Sequence, residues 1–271
     1  GFSTLLAADH LALASAFTPL VVAAGATTEL RVGTLVINND FRRPLRLAQE
    51  AATVDRLVDG RLELGLGSGW NKPEYDLLGI DYDPAPLRAE RLHHALRTMK
   101  QAWAGELRVG TGERSRPAVV PPAQQPHPPI QIGGHGDALM TVAAAEADIV
   151  GFTGVTWRQD RLVPTGVSVE AIEERVSFVR SAAGDRAGQL ELSALVQRVD
   201  TSGGREVLDE LAASGLDPQA VDDSPFFLVG PPERLTEKLL GLRERLGISY
   251  WVVFQPALEA IAPVVAELAG R

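Results

Sequence analysis

Apolar runs that end in glycine, histidine or asparagine recur along the whole chain. Thr4–Ala8 leads into Asp9-His10, Leu30–Ile37 into Asn38-Asn39-Asp40, and Leu62–Leu66 into Gly67-Ser68-Gly69-Trp70. Pro129–Ile132 leads into Gly133-Gly134-His135-Gly136, Asp148–Phe152 into Thr153, Leu190–Val196 into Gln197-Arg198, and Tyr250–Phe254 into Gln255. These runs are rich in Val, Leu and Ile without strict alternation, as in strands buried on both faces. Helical periodicity follows most of them. A repeated strand-then-helix order predicts an α/β fold with a parallel sheet. Such folds place their chemistry at the carboxyl ends of the strands, so the pattern predicts an enzyme scaffold with one active mouth.

The helices are marked by their own punctuation. Pro44 opens one, carries Leu47, Ala51, Val54 and Leu57-Val58 at helical spacing, and Gly60 stops it. A second starts near Leu87, with Leu92, Ala95-Leu96, Met99 and Trp103 as its stripe, and ends at Gly105. Ala138–Ala147 is a short helix of small residues. Ser168 caps another that runs to Ala183-Gly184. Pro231-Pro232-Glu233 opens one through Leu235, Leu239, Leu242 and Leu246 to Gly247, and Leu258–Leu268 closes the chain. Residues 105–128 and 154–167 break the rhythm and are read as rim loops.

At 271 residues the chain is the size of one (β/α)8 barrel, and we expect a single barrel domain over 1–271. About seven strand signals fall short of the eight that close such a barrel, so a first strand and helix are expected to be missing upstream of Gly1-Phe2. The net charge of -9 argues against nucleic-acid binding. No apolar run approaches the roughly 20 residues that cross a bilayer. With 0 Cys, disulfides, thiol catalysis and thiolate metal sites are excluded, and a cytoplasmic location is expected.

Two glycine runs are the candidate binding loops. Gly65-Leu66-Gly67-Ser68-Gly69 lacks the context of a dinucleotide fingerprint, because Pro73 disfavours an immediate long helix. A loop facing a cofactor and a plain tight turn both remain open. Gly133-Gly134-His135-Gly136 precedes a helix, where backbone N–H groups form a phosphate cradle; the other reading is a turn that needs only backbone freedom. His10 is a candidate general base or donor to a cofactor ring, or else a structural histidine. Asn38-Asn39-Asp40 offers amides to a flat heterocycle, or forms an Asx-turn before Pro44. His93-His94 is read as a surface pair without a role and His127 as loop. No metal-ligand spacing, nucleophile elbow or Walker loop is found.

In order, these pieces resemble the luciferase-like monooxygenases, a family of flavin- and deazaflavin-dependent barrels. The resemblance rests on Gly1-Phe2 to Asp9-His10, Ala26–Thr34, Pro44 to Asp55, Gly60–Gly67 and Pro128–Gly134. Asn38-Asn39-Asp40 and Gly67-Ser68-Gly69-Trp70 resemble a subgroup assigned to coenzyme F420 and common in actinobacteria. The resemblance implies a (β/α)8 barrel lacking its first strand in this chain. It implies a flat tricyclic cofactor, F420 or alternatively FMN, with its phosphate near Gly133–Gly136 and His10 near the reactive ring. Asp9, Leu35, Val36, Asn38, Asn39, Gly67, Ser68, Gly69, Trp70, Gly133, Gly134, His135, Gly136 and Thr153 would line that cofactor. A non-prolyl cis peptide is expected at Leu35-Val36. Arg42, Arg43 and Arg158 are the candidates for an anionic cofactor tail. The loop after His10, near Ala12–Phe17, looks shortened. The implied activity is hydride transfer between F420 and a small organic substrate by a homodimer. An FMN-dependent monooxygenase and a cofactor-free barrel with a binding or structural role are the alternatives.

Overall fold

The computed structural model of the chain describes residues 1–158, 161–203, 205–213 and 215–270. Its contacts group them into two units, Ser3–Asp148 and Gly1–Phe2 with Ile149 onward.

The first unit contains β1 (Thr4–Ala7), α1 (Phe17–Gly25), β2 (Arg31–Thr34), β3 (Ile37–Asn38), α2 (Pro44–Leu57), β4 (Leu62–Gly67), α3 (Lys72–Leu78), α4 (Ala85–Trp103), β5 (Arg108–Val109), β6 (Arg116–Pro117), β7 (Ile130–Gly134) and α5 (Asp137–Glu146). Strands β1, β2, β4 and β7 lie side by side and parallel, with Leu5 beside Val32, Val32 beside Leu62 and Leu64 beside Ile130. Short β3 also runs parallel to β4, with Asn38 beside Gly67. Every residue of β4 is buried, as its unbroken apolar run predicts.

The run Leu30–Ile37 is not one strand. It breaks after Thr34, the Leu35–Val36 peptide is cis as expected, and β3 resumes at Ile37. At the break the Thr34 hydroxyl donates to the Gly65 carbonyl (2.8 Å) and accepts from the Gly65 N–H (3.0 Å). Helix α2 starts at Pro44 and buries Leu47, Ala48 and Ala51, and Gly60, with φ +72°, follows its end. Helix α4 packs against both α2 and α5. The Trp103 indole donates to the Ala48 carbonyl (2.9 Å), and Glu146 on α5 binds Lys100 (2.8 Å) and His93 (3.1 Å). His93 is thus not an idle surface residue. Burial pushes the Glu146 carboxyl up, but Lys100 and His93 together hold it below its ordinary value.

Two features were not legible in the pattern. The segment read as a shortened loop leads into α1, which buries Phe17, Leu20 and Ala24 but is apolar on most sides and so shows no stripe. The rim segment 105–128 holds the antiparallel pair β5–β6.

The second unit contains β8 (Ile149–Phe152), β9 (Val155–Arg158), β10 (Arg161–Pro164), α6 (Val169–Ala183), β11 (Glu191–Leu195), β12 (Arg198–Asp200), α7 (Arg205–Ala213), α8 (Pro218–Asp223), β13 (Phe227–Val229), α9 (Pro232–Leu246), β14 (Ile248–Val252) and α10 (Leu258–Leu268). Strand β11 is central, parallel to β8 on one side and β14 on the other. The caps are those the sequence announces: Ser168 accepts from the Ala171 N–H at the start of α6, and Gly247 (φ +77°) ends α9. Val196, Leu228, Leu235, Leu239, Ile261 and Val264 form one core cluster. The segment 154–167 carries the antiparallel pair β9–β10, and the short elements β12, β13, α7 and α8 have no counterpart in the apolar pattern. Among the described residues, no helix is long and apolar enough to cross a membrane.

Candidate active site

The carboxyl ends of β1, β3, β4 and β7 share one edge of the first unit's sheet, because these strands are parallel neighbours. This edge brings together the chain at His10, Asn38, Ser68–Trp70 and Gly133–Gly136.

The His10 ring is half-buried. Its Nδ1 lies 3.0 Å from Glu74 Oε1, which also accepts the Leu11 backbone N–H at 3.1 Å. With Nδ1–H donating to Glu74, Nε2 is left as an acceptor for a proton from elsewhere. The Trp70 ring meets the imidazole edge-to-face at 5.4 Å between centroids. Trp70 is held through its carbonyl, which accepts from the Tyr82 hydroxyl at 3.1 Å.

Beneath Ser68–Trp70 lies a bonded polar scaffold. The buried Arg88 donates to the Ser68 carbonyl (2.9 Å), the Gly69 carbonyl and the Asp83 carbonyl (2.9 Å), and stacks on Tyr82 at 4.2 Å. The Tyr75 hydroxyl lies within bonding reach of the Ser68 carbonyl (3.2 Å), Asn38 Oδ1 (3.3 Å) and Asp40 Oδ2 (3.0 Å). Burial pushes the Tyr75 phenol up to about 12; the Asn38 bond opposes this and the Asp40 charge adds to it. Arg91 grips Asp40 (2.6 and 3.1 Å) and Asp83 (2.6 Å), and the Asp40 bond raises its guanidinium above the ordinary value.

The glycines of the first run are explained by this packing. A Cβ on Gly65 would strike the Thr34 carbonyl. One on Gly67 would lie 2.6 Å from a Val36 methyl, and one on Gly69 (φ +80°) would strike the Tyr75 hydroxyl and the Asn38 amide. Asn38 is built into the same frame, its side chain accepting the Asp40 N–H as an Asx-turn, and Asn39 beside it is buried. Asp9 is turned to Arg42, which holds both its oxygens (3.1 and 3.3 Å). Arg42 therefore serves the fold, while Arg43 is exposed at the start of α2 and the Arg158 side chain falls outside the described residues.

The second run is different. Gly133 and Gly134 end β7, His135 follows half-buried, and Gly136 caps the ten-residue α5. A Cβ on Gly134 would strike Leu139, but one on Gly136 meets nothing within 4 Å. The first backbone N–H groups of a helix lack intrahelical acceptors, and Gly136 leaves open space at this helix start. On β7, Gln131 is 1% exposed and its side-chain oxygen has no hydrogen-bond partner. A buried acceptor of this kind wants a donor. Together the open cradle, the orphaned amide oxygen and the His10–Trp70 pair fit a flat heterocycle that carries a phosphate. The Asp137 carboxylate in the first turn of α5 opposes an anion there. Thr153 belongs to the second unit, where its hydroxyl donates to the Val155 carbonyl (3.1 Å) and its carbonyl accepts from Gln197 (2.8 Å).

The pattern of apolar runs missed Glu74, Tyr75, Arg88, Arg91 and Gln131. For the first two a signal existed. Lys72-Pro73-Glu74 is a helix start, with proline where its missing N–H costs nothing and an acid in the first turn. Pro73 opens a short α3 of seven residues, in line with the expectation that no long helix follows the glycine run.

The chain is 34% identical over 160 residues to the F420-dependent glucose-6-phosphate dehydrogenase of Microbacterium testaceum, covering 55% of this chain and 47% of that protein. It is 29% identical over 204 residues to the FMNH2-dependent dimethylsulfone monooxygenase of Pseudomonas putida, covering 73% and 52%. The matches thus span about half the length of these curated relatives. The structure of the coenzyme F420 dependent tetrahydromethanopterin reductase from Methanopyrus kandleri superposes with a TM-score of 0.74 at 18% identity, covering 98% of this chain and 90% of that one. That likeness shows the fold class, α/β with parallel strands, as in the luciferase-like enzymes. Residues 1–179 match the model of the luciferase-like monooxygenases, and the chain belongs to that family.

Proposed function

We propose that this protein is an oxidoreductase that transfers hydride between the deazaflavin coenzyme F420 and a small organic substrate, with His10 handling the accompanying proton. The observation that carries this reading is the His10–Glu74 pair beside Trp70. Interconverting an alcohol and a carbonyl moves one proton for every hydride, so the site needs a proton acceptor with a defined tautomer. When bound, the cofactor supplies the two-electron hydride acceptor or donor. Glu74 keeps the hydrogen on Nδ1 of His10, and Nε2 takes the proton from the substrate hydroxyl or returns it to the carbonyl. Trp70 packs edge-to-face against the imidazole and limits its orientation. The open first turn of α5 at Gly136 would hold the cofactor phosphate, and Gln131 would accept a hydrogen bond from a heterocyclic N–H.

A second reading, FMN-dependent oxygen chemistry, is favoured by the relative that covers 73% of the chain, which uses FMNH2. Parallel fluorescence titrations with F420 and FMN test the choice. Quenching by F420 alone supports hydride transfer. Quenching by FMN alone moves the reading to the monooxygenase, and quenching by neither moves it to a cofactor-free barrel. With cofactor binding matched, His10→Ala is expected to lower turnover by about 10²-fold or more; unchanged turnover would remove His10 from the reaction. The same reading takes the protein to be a cytoplasmic homodimer, which sedimentation of the full chain tests.

A further inference from the structure

We propose that a cavity within the second unit binds a small organic ammonium ion with an apolar body, paired to Asp200 and hydrogen-bonded by Gln197. This site is separate from the His10–Glu74 pair and does not depend on which cofactor the protein uses. The cavity measures about 390 Å³, within the size range of small-molecule sites. It lies where the parallel neighbours β11 and β14 end: Val196 to Asp200 follow β11, and Phe254, Pro256 and Ala257 follow β14. The carboxyl ends of parallel strands are where α/β folds place their ligands. Val207 of α7 supplies a further part of the wall. Its frame is bonded: the Ala257 N–H donates to the Phe254 carbonyl (2.9 Å), and β12 pairs with β13.

The polar side-chain atoms left over on this wall are acceptors. Nε2 of Gln197 donates to the Thr153 carbonyl (2.8 Å) and to the Leu195 carbonyl (3.2 Å). Two carbonyl partners fix which end of the amide is nitrogen, so Oε1 is left to accept. Asp200 takes the Ser202 hydroxyl (2.6 Å) and N–H (2.8 Å) on Oδ1, and these bonds hold its carboxyl below the ordinary value. Its Oδ2 receives no hydrogen bond from the described residues. Arg198 is close enough to favour the Asp200 charge, but its guanidinium is bonded to Glu210 at 3.2 Å. Asp200 and Glu210 thus share one guanidinium, and the set keeps a net negative charge. Glu259, in the first turn of α10, offsets the positive end of the helix that follows Ala257. The rest of the wall is apolar, and the ring of Phe254 is half exposed. A ligand that satisfies all of this donates hydrogen bonds, carries a positive charge and has an apolar remainder; an aromatic face adds attraction for a cation. An anion would meet the Asp200 charge and find acceptors where it needs donors.

The test is isothermal titration of the full-length protein, without cofactor, at neutral pH. The probes are 2-phenylethylamine, 2-phenylethanol and 3-phenylpropionate, which share a shape and differ in charge. The amine is expected to bind roughly tenfold tighter than the alcohol or more, with the carboxylate weakest. Asp200→Asn keeps the size of the side chain and an oxygen for Ser202, and it is expected to bring the amine to within about twofold of the alcohol. Phe254→Ala is expected to weaken both. Binding of the alcohol or the carboxylate as tight as that of the amine, no binding of the amine, or amine affinity unchanged in Asp200→Asn would overturn the proposal. Should Asp200→Asn fail to fold in a thermal melt, Phe254→Ala carries the placement, and unchanged amine affinity there overturns it equally.

Discussion

The two glycine runs of the first unit look alike in sequence and have opposite physical causes. Gly65, Gly67 and Gly69 lie where the chain meets itself: a side chain on any of them would strike Thr34, Val36 or Tyr75. Gly136 lies where the chain meets nothing, at the open start of α5. The first run is fixed by packing and holds Ser68 and Trp70 in place. The second leaves open space at the start of α5. A glycine-rich loop at the end of a parallel strand is therefore a weak sign of phosphate binding until its neighbours are known.

Four substitutions break or sharpen this contrast. Gly65→Ala should have the largest effect, because the new methyl meets a backbone carbonyl that cannot rotate away and disturbs the paired Thr34 bonds. We expect a loss of about 3–5 kcal/mol, near 10 °C in Tm; a thermal melt within ~2 °C of the natural protein would show that this run is not fixed by packing. Glu74→Gln tests what the first loop hands on to the chemistry. An amide can present its N–H to Nδ1 and leave the hydrogen on Nε2, so turnover should fall roughly 10–100-fold with folding intact. An unaltered pH–rate profile would make the pair structural.

Tyr75→Phe removes the hydroxyl shared by Ser68, Asn38 and Asp40 and should cost about 1–2 kcal/mol at neutral pH. Its pH dependence has a defined sign. The folded phenol titrates at about 12 against 10.0 for the free group, so the unfolded chain loses its proton first. The Tyr75 contribution is complete below pH 10 and is lost between pH 10 and 12. In denaturant melts over that range the natural protein should lose stability faster than Tyr75→Phe, and parallel curves would refute the buried phenol. Gly136→Ala should change stability least, by no more than about 1 kcal/mol, because φ -73° and ψ 145° suit alanine. Cofactor affinity should nevertheless fall, as read by titration. An intact affinity would reduce the second run to a turn.

How much was readable depended on how local the cause was. The seven principal strands, the Pro44 and Ser168 helix starts and the Gly247 stop follow from neighbouring residues, and they appear where the pattern puts them. Helix α1 escaped because an element that is apolar on most sides has no period. The division of Leu30–Ile37 into β2 and β3 lay in no single residue of the run; the cis Leu35–Val36 peptide was expected only through family resemblance. His10, Trp70 and the glycines were found because they stand at strand ends. Glu74 is 64 positions from His10 along the chain, and no periodicity links them.

The sequence by itself determined the alternation of strands and helices, their caps and the edge on which the polar residues collect, because backbone conformation and burial are set by residues a few positions apart. Only the tertiary structure decided that Asn38, Gly65, Gly67 and Gly69 belong to the frame, that Arg42 is committed to Asp9, and that Glu74 orients His10. Those outcomes depend on contacts between side chains dozens of residues apart, whose partners are chosen by how the strands pack and not by what lies beside them in the chain.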